Sequence, residues 1–375
     1  MSTQPTSSPD SDLPTERRQI VVGLLADPNL PTQVARRMAD DLPGALAEYV
    51  SADVRWSIEV VDDPFEIATS YDRVIDKARA RVEGTNWDIA ICMTDMPIET
   101  GNGIVVADVS LHDRVALVSL PALGGFRLRR RARDLTIAIV DELVAHLHDP
   151  PPRRDGGPST ERPGTSLAAH LTRRVAPVDR DVDIELVMDR THGAPRLLAG
   201  TVRANQPWQL AAGLSTALAG AATGSAFGIL YSSIWTLAIV LHPWRMAAGT
   251  IAAIAVLVVW LVFGHGLWQR RPEPKHLGML LNTATVLTVV TGALVFYLSL
   301  LTLNLAATAL IIPPQYFSEV AGHPVNWTDY LRVALMASGM GTVAGAVGSG
   351  LEDDATVRRA AYSTREQQRR AGIGS

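Results

Sequence analysis

The sequence predicts a protein of two unlike parts: an α/β domain, taken as cytosolic, followed by an all-α transmembrane domain of four helices. Three observations carry this. Short β-branched runs alternate with helical stretches over residues 18–149, as α/β domains do. Four long apolar stretches follow residue 205. Between the two parts lies PPPRRDGGPSTERPGTS, residues 150–166, whose Pro, Gly, Ser and mixed charge mark a linker.

Composition agrees. Of 375 residues, 47% are hydrophobic and only 19% charged, below the usual quarter for soluble chains. A wholly soluble protein is thereby excluded. The net charge of -4 offers no basic footprint, so no nucleic-acid partner is expected. One cysteine, Cys92, excludes intrachain disulfides and a cysteine-based metal cluster.

In chain order, residues 1–17 are rich in Ser, Thr, Pro and Asp without an apolar run, and are expected as a disordered leader rather than a secretory signal. Ile20–Ala26 reads as a buried strand. A helix is expected from Pro31 through Tyr49, because Val34, Met38, Leu42, Leu46 and Val50 recur every fourth residue, with Pro43 as a possible kink. Arg55–Val61 reads as a strand, Tyr71–Val82 as a helix and Asp88–Met93 as a third strand. Ile104–Val109 and Val115–Leu120 flank Leu111-His112-Asp113-Arg114 at hairpin spacing, and Arg127–His148 forms a long helix faced by Leu135, Ile139, Leu143 and Leu147. Residues 167–206 read as a juxtamembrane region with one helix and two small strands, around Ile184–Met188 and Arg196–Val202; the second strand is a candidate coupling element.

The apolar stretches cover roughly 208–241, 246–264, 277–312 and 329–350, within a transmembrane domain of 207–350. About 20 residues cross the hydrocarbon core, so the second and fourth fit, while halving the first or third leaves about 15 per piece, too few to span. Four spans follow. Arg270, Arg271 and Lys275, the arginines of the 351–375 tail, and Arg190, Arg196 and Arg203 all fall on one side of such a bundle, which places both termini in the cytoplasm. Trp208, Trp244, Trp268 and Trp327 stand near the expected boundaries, where indole rings prefer the headgroup level. In the fourth span, Gly341-xxx-Gly345-xxx-Ser349 lets two helix backbones approach closely, against another span of the same chain or in a homo-oligomer.

Candidate chemistry is sparse. Asp27, Asp63 and Asp95 each follow a strand and precede a proline; in a parallel sheet they can converge beyond the carboxyl edge on a hard cation or a polar ligand, or simply cap the following turn. Gly124-Gly125 opens the basic helix carrying Arg127, Arg129, Arg130, Arg131 and Arg133, which suits an anion, an acidic lipid surface or a solvated face. No glycine-rich phosphate loop follows the first strand, Ser119 lacks a nucleophile elbow, and Cys92 lies in an apolar strand. The order of elements before the long helix resembles that of zincin proteases, with Asp141-Glu142-Leu143-Val144-Ala145 in place of H-E-x-x-H; both zinc histidines are absent, so no protease activity is expected. Asn282 and Asn304 are the main polar groups of the spans, expected to bond between helices.

The stretches WDIAICMTDMPIETGNGIVVADVSLHDRVALVSLPALGG, RLLAGTVRANQPW and GTVAGAVGSGLEDDATVRRAAYSTRE resemble an uncharacterised family of actinobacterial multi-span membrane proteins. They cover about a quarter of the chain. The resemblance implies a location in the cytoplasmic membrane. Some members carry a methylene-tetrahydrofolate dehydrogenase label, but the residues here hold no dinucleotide fingerprint, and no catalytic residue or cofactor is carried over. The leading expectation is a non-enzymatic sensing or binding protein in contact with the bilayer. The alternatives are a metal-dependent membrane enzyme using the three aspartates, and a small transporter or channel.

Overall fold

A computed structural model of the chain describes residues 18–63, 83–148, 173–175, 182–208, 215–268 and 275–350. The expected leader, the helix at Tyr71–Val82, the linker and the basic tail lie outside the described residues.

The first part is an eight-stranded mixed sheet. Its strands are β1 (Gln19–Ala26), β2 (Arg55–Asp62), β3 (Ile89–Thr94), β4 (Ile98–Thr100), β5 (Gly103–Ser110), β6 (Val115–Ser119), β7 (Arg173–Val175) and β8 (Ile184–Met188), in the order β2-β1-β3-β6-β5-β8-β7 with β4 paired to β5. The first four in that order are parallel, and β5 turns the sheet antiparallel through its hairpin with β6. β3, β5 and β6 are buried along their whole length, which is why they read as unbroken apolar runs. β8 pairs with β5, so the chain beyond the linker returns to extend the sheet.

Helices α1 (Leu30–Ala39), α2 (Leu42–Tyr49) and α3 (Leu128–His148) cover one face, where Met38, Leu42, Leu46, Leu135, Ile139 and Leu143 meet Leu24, Ile89 and Ile91. The stretch 31–49 expected as one helix is two. Pro43 has no N–H for the preceding turn and its ring crowds the carbonyl of Ala39, so the chain turns at Asp40-Asp41 and restarts with the proline in the first turn of α2.

Arg196–Val202, expected as a strand, is helical: it lies within α4 (Arg190–Ala204). Asp189 caps that helix by accepting from the Thr191 N–H, and Leu197 and Ala204 join the α/β core. Gly193 and Gly200 let it sit close to the domain, Gly193 over Ile104 and Met188 and Gly200 against the Pro121 carbonyl.

The second part comprises α5 (Ser215–Leu230), α6 (Ser232–Val240), α7 (Pro243–Val259, continued by a π turn over Trp260–Gly264), α8 (Lys275–Ile311), α9 (Pro314–Ala321) and α10 (Trp327–Ser349). Three helices, Pro243–Gly264, Met279–Ile311 and Trp327–Ser349, are long and apolar enough to cross a membrane. The first apolar stretch is not one helix: α5 and α6 meet at Tyr231 with a bend of 81°. The third is a single helix of 37 residues, about 55 Å at 1.5 Å per residue. That exceeds the hydrocarbon core by about 25 Å, and the excess lies toward the α/β domain: Leu280 packs on its core, and Asn205 Nδ2 donates to Thr288 Oγ1 at 3.2 Å.

Candidate functional site

The parallel part of the sheet creates one geometrically special place. From β1 the chain goes to β2 on one side and returns to β3 on the other, so the strand order reverses between β1 and β3, where open α/β sheets leave a crevice beyond their carboxyl ends. Asp27 and Asp95 stand on those two strand ends, and both are buried. Thr94 Oγ1 donates to Asp27 Oδ2 at 2.6 Å and accepts from the Met96 N–H at 3.1 Å, while Thr32 Oγ1 donates to the Asp27 carbonyl at 2.8 Å. The turn into α1 is thus held by the Asp27 backbone carbonyl, which also accepts from the Thr32 N–H at 3.1 Å, while the carboxylate is oriented by Thr94 and does not cap the helix.

Asp63 is placed differently. It is half-buried at the end of β2, where its N–H donates to the Ala26 carbonyl at 3.1 Å, on the far side of β1 from Asp95. Among the described residues no group of three or more His, Cys, Asp or Glu side chains is close enough to hold a metal ion. The three aspartates are therefore not gathered into one ligand set. Asn29, two residues after Asp27 at the start of α1, has φ 71° and ψ −116°, a strained conformation for a residue with a Cβ. Sequence reading passed over Thr94 and Asn29; the Asp-Pro-Asn turn was the available signal. Burial, with the Asp27 carboxylate adding to it, pushes the Cys92 thiol far above its ordinary range, so it is no nucleophile.

The arginines of the basic helix part ways, Arg133 lying 3.4 Å from Asp134. Arg129 pairs with Asp41, Arg130 lies 3.8 Å from Asp134, and Arg127 is exposed with φ 52° just before α3. Arg131 alone turns toward the Gly124-Gly125 loop, its Nη1 donating to the Leu123 carbonyl at 2.8 Å. Two arginines of α4 join it: Arg196 Nε donates to the same carbonyl at 3.1 Å and Arg203 Nη1 to the Gly125 carbonyl at 3.1 Å. Burial, and then the nearby Arg131 charge, lower the Arg196 guanidinium from its usual value. Reading α4 as a strand hid this pair, since only a helix puts residues seven apart on one face. At the other end of α3, Glu142 is paired with Arg174.

Inside the bundle, Gly341 and Gly345 face α5, and Ser349 is buried with its Oγ donating to the Ala346 carbonyl of its own helix at 2.7 Å. A Cβ on Gly345 would come 3.0 Å from the Ala217 carbonyl oxygen, and one on Gly348 2.7 Å from that of Thr216. α5 answers with Gly220, Gly224 and Gly228, whose added Cβ atoms would meet Ala344 O at 2.7 Å, Ala344 Cβ at 2.6 Å and Ala337 Cα at 2.6 Å. This second small-residue run was legible at the same spacing and was missed. Asn304, 2% exposed, donates to Ser225 Oγ and Ser338 Oγ, both at 3.0 Å, and so ties α8 to α5 and α10. Trp208, Trp244, Trp268 and Trp327 are all exposed. The chain matches no protein-family model, no curated protein and no solved structure.

Proposed function

We propose that the protein is a non-enzymatic sensing or binding protein of a bacterial cytoplasmic membrane, whose α/β domain lies on the cytoplasmic side and passes its ligand state to the helix bundle. One observation carries the reading: α8 runs without a break from the α/β core, where Leu280 packs, through the Asn205–Thr288 bond, to the buried Asn304 at the junction with α5 and α10. A rigid element that contacts both parts conveys a displacement of either to the other. Counting the bent α5–α6 pair as a crossing gives four spans, and the arginine distribution then sets both termini inside.

The ligand belongs in the β1/β3 crevice. Two buried carboxylates there, with the Thr94 hydroxyl between strand ends, suit a small cationic or hydroxyl-rich molecule. The test is a thermal-unfolding screen of full-length protein in nanodiscs against divalent cations, polyamines, basic amino acids and sugars. A compound that raises the midpoint of the wild type but not of Asp95→Asn, and slows hydrogen exchange in the first turns of α8, supports the reading. A panel that shifts nothing removes it.

A further inference from the structure

We infer that Arg131, Arg196 and Arg203 around the Gly124-Gly125 loop form a binding site for a phosphate-bearing anion, at the joint between the α/β domain and the bundle. The site is built by close packing. α4 lies so near the turn Pro121–Leu123 that a Cβ on Gly200 would run into the Pro121 carbonyl oxygen, and one on Gly125 would come 3.0 Å from that of Ala199. This contact brings Arg196 and Arg203, on one face of α4, over the loop from one side, while Arg131 reaches it from the first turn of α3.

A guanidinium carries five N–H donors. Arg131 spends one on the Leu123 carbonyl, Arg203 one on the Gly125 carbonyl, and Arg196 one on Leu123 with a weak contact to the Met188 sulfur at 3.9 Å. Among the described residues none of the three forms an ion pair, whereas Arg129 and Arg130 on the outer side of α3 both do. Among the described residues these like charges are held at one loop by carbonyl oxygens without an acidic partner; burial, and then the neighbouring Arg131 charge, lower the Arg196 guanidinium. A phosphate group supplies what is missing. Its oxygens match the planar guanidinium forks, and the start of α3 adds the positive end of a helix dipole.

Two sources share this chemistry, a soluble phosphate and a phospholipid headgroup. Arg203 is exposed, which leaves the site open to solvent, and it stands two residues before Asn205, which bonds to the apolar helix α8, so the site also lies near where headgroups would be. The inference does not use the β1/β3 crevice, so either can fail alone.

The experiment uses full-length protein in nanodiscs. In phosphatidylcholine discs, equilibrium dialysis with radiolabelled inorganic phosphate is expected to show saturable binding that raises the unfolding midpoint and is weakened about tenfold or more in Arg196→Gln and Arg131→Gln. In discs containing phosphatidylglycerol, in buffer without inorganic phosphate, the same rise, lost in the same variants, identifies the anionic lipid headgroup as the occupant. Without any anion the two variants are expected to unfold at or above the wild-type midpoint, since each relieves repulsion. No binding and no midpoint shift in either arm overturns the inference. So does a shift that survives both substitutions, or an anion-free midpoint that falls in both, which is the mark of arginines that merely hold the loop.

Discussion

Asn304 illustrates how much one side chain can do in a dry interior. Its amide donates to two serine hydroxyls on two other helices, and both serines also bond backbone carbonyls of α10, so the amide closes a small network at the bundle centre. Such bonds within membranes contribute about 1 kcal/mol each or less. Asn304→Leu is therefore expected to lower bundle stability by about 1–2 kcal/mol, read from denaturation of detergent-solubilised protein, with Asn304→Gln recovering part of the loss. Cys92 gives a second prediction at this scale. Its thiol is pushed up by burial, so hardly any thiolate exists in the folded state between pH 7 and 9. Maleimide labelling should follow unfolding rather than pH. The linkage sign is also set: a proton retained in the fold and released in the unfolded chain near pH 8.5 makes stability fall as pH rises past that value. Labelling of native protein that accelerates about tenfold per pH unit, as a free thiol's does well below its pKa, would contradict the buried placement.

At the scale of elements, the strands were legible because β1, β3, β5 and β6 are filled from both faces, and a strand buried on both sides needs an unbroken apolar run. α4 was not. It contains Pro195 and two glycines, all poor helix formers, and its helicity is decided by tertiary contact: only a helix with glycine at 200 fits against the Pro121 carbonyl. The α5–α6 break was equally hidden, since no proline or charge marks Tyr231; the freed Ile229 carbonyl is satisfied instead by the Trp235 indole N–H at 3.0 Å. The crevice aspartates were visible as residue types at strand ends, but the strand order that separates Asp63 from the other pair resides in pairing, which no local pattern carries. The glycine run of α10 shows the opposite case, in which spacing foretold a close approach and only the partner was open. Because Gly345 is already in contact with α5, Gly345→Leu is expected to destabilise the folded monomer. Size-exclusion with light scattering, alongside a thermal melt, checks this: an unchanged melt with a lost dimer would assign the face to self-association instead.

For the whole molecule, the number of crossings fixes the relation between its ends. If α7, α8 and α10 alone cross, the odd count puts the α/β domain and the chain beyond Ser349 on opposite sides of the bilayer; if the bent α5–α6 pair crosses as well, they share a side. α6 has nine residues, about 14 Å of helix, and cannot cross without α5. Cysteine scanning separates the cases, and the buried native thiol leaves a low background. Trp208, Trp244, Trp268 and His323 are exposed and can each be replaced singly. With four crossings and the arginine-rich connections inside, Trp244→Cys and His323→Cys react with an impermeant maleimide on intact cells, and Trp208→Cys and Trp268→Cys react only after lysis. Trp208→Cys and Trp244→Cys reacting from the same side would make α5–α6 a re-entrant hairpin. That outcome would set the α/β domain on the side of Trp244, whereas Leu280 on its core and the Asn205–Thr288 bond hold it at the end of α8 that follows the Trp268 connection, so a crossing by the α5–α6 pair is the expected result.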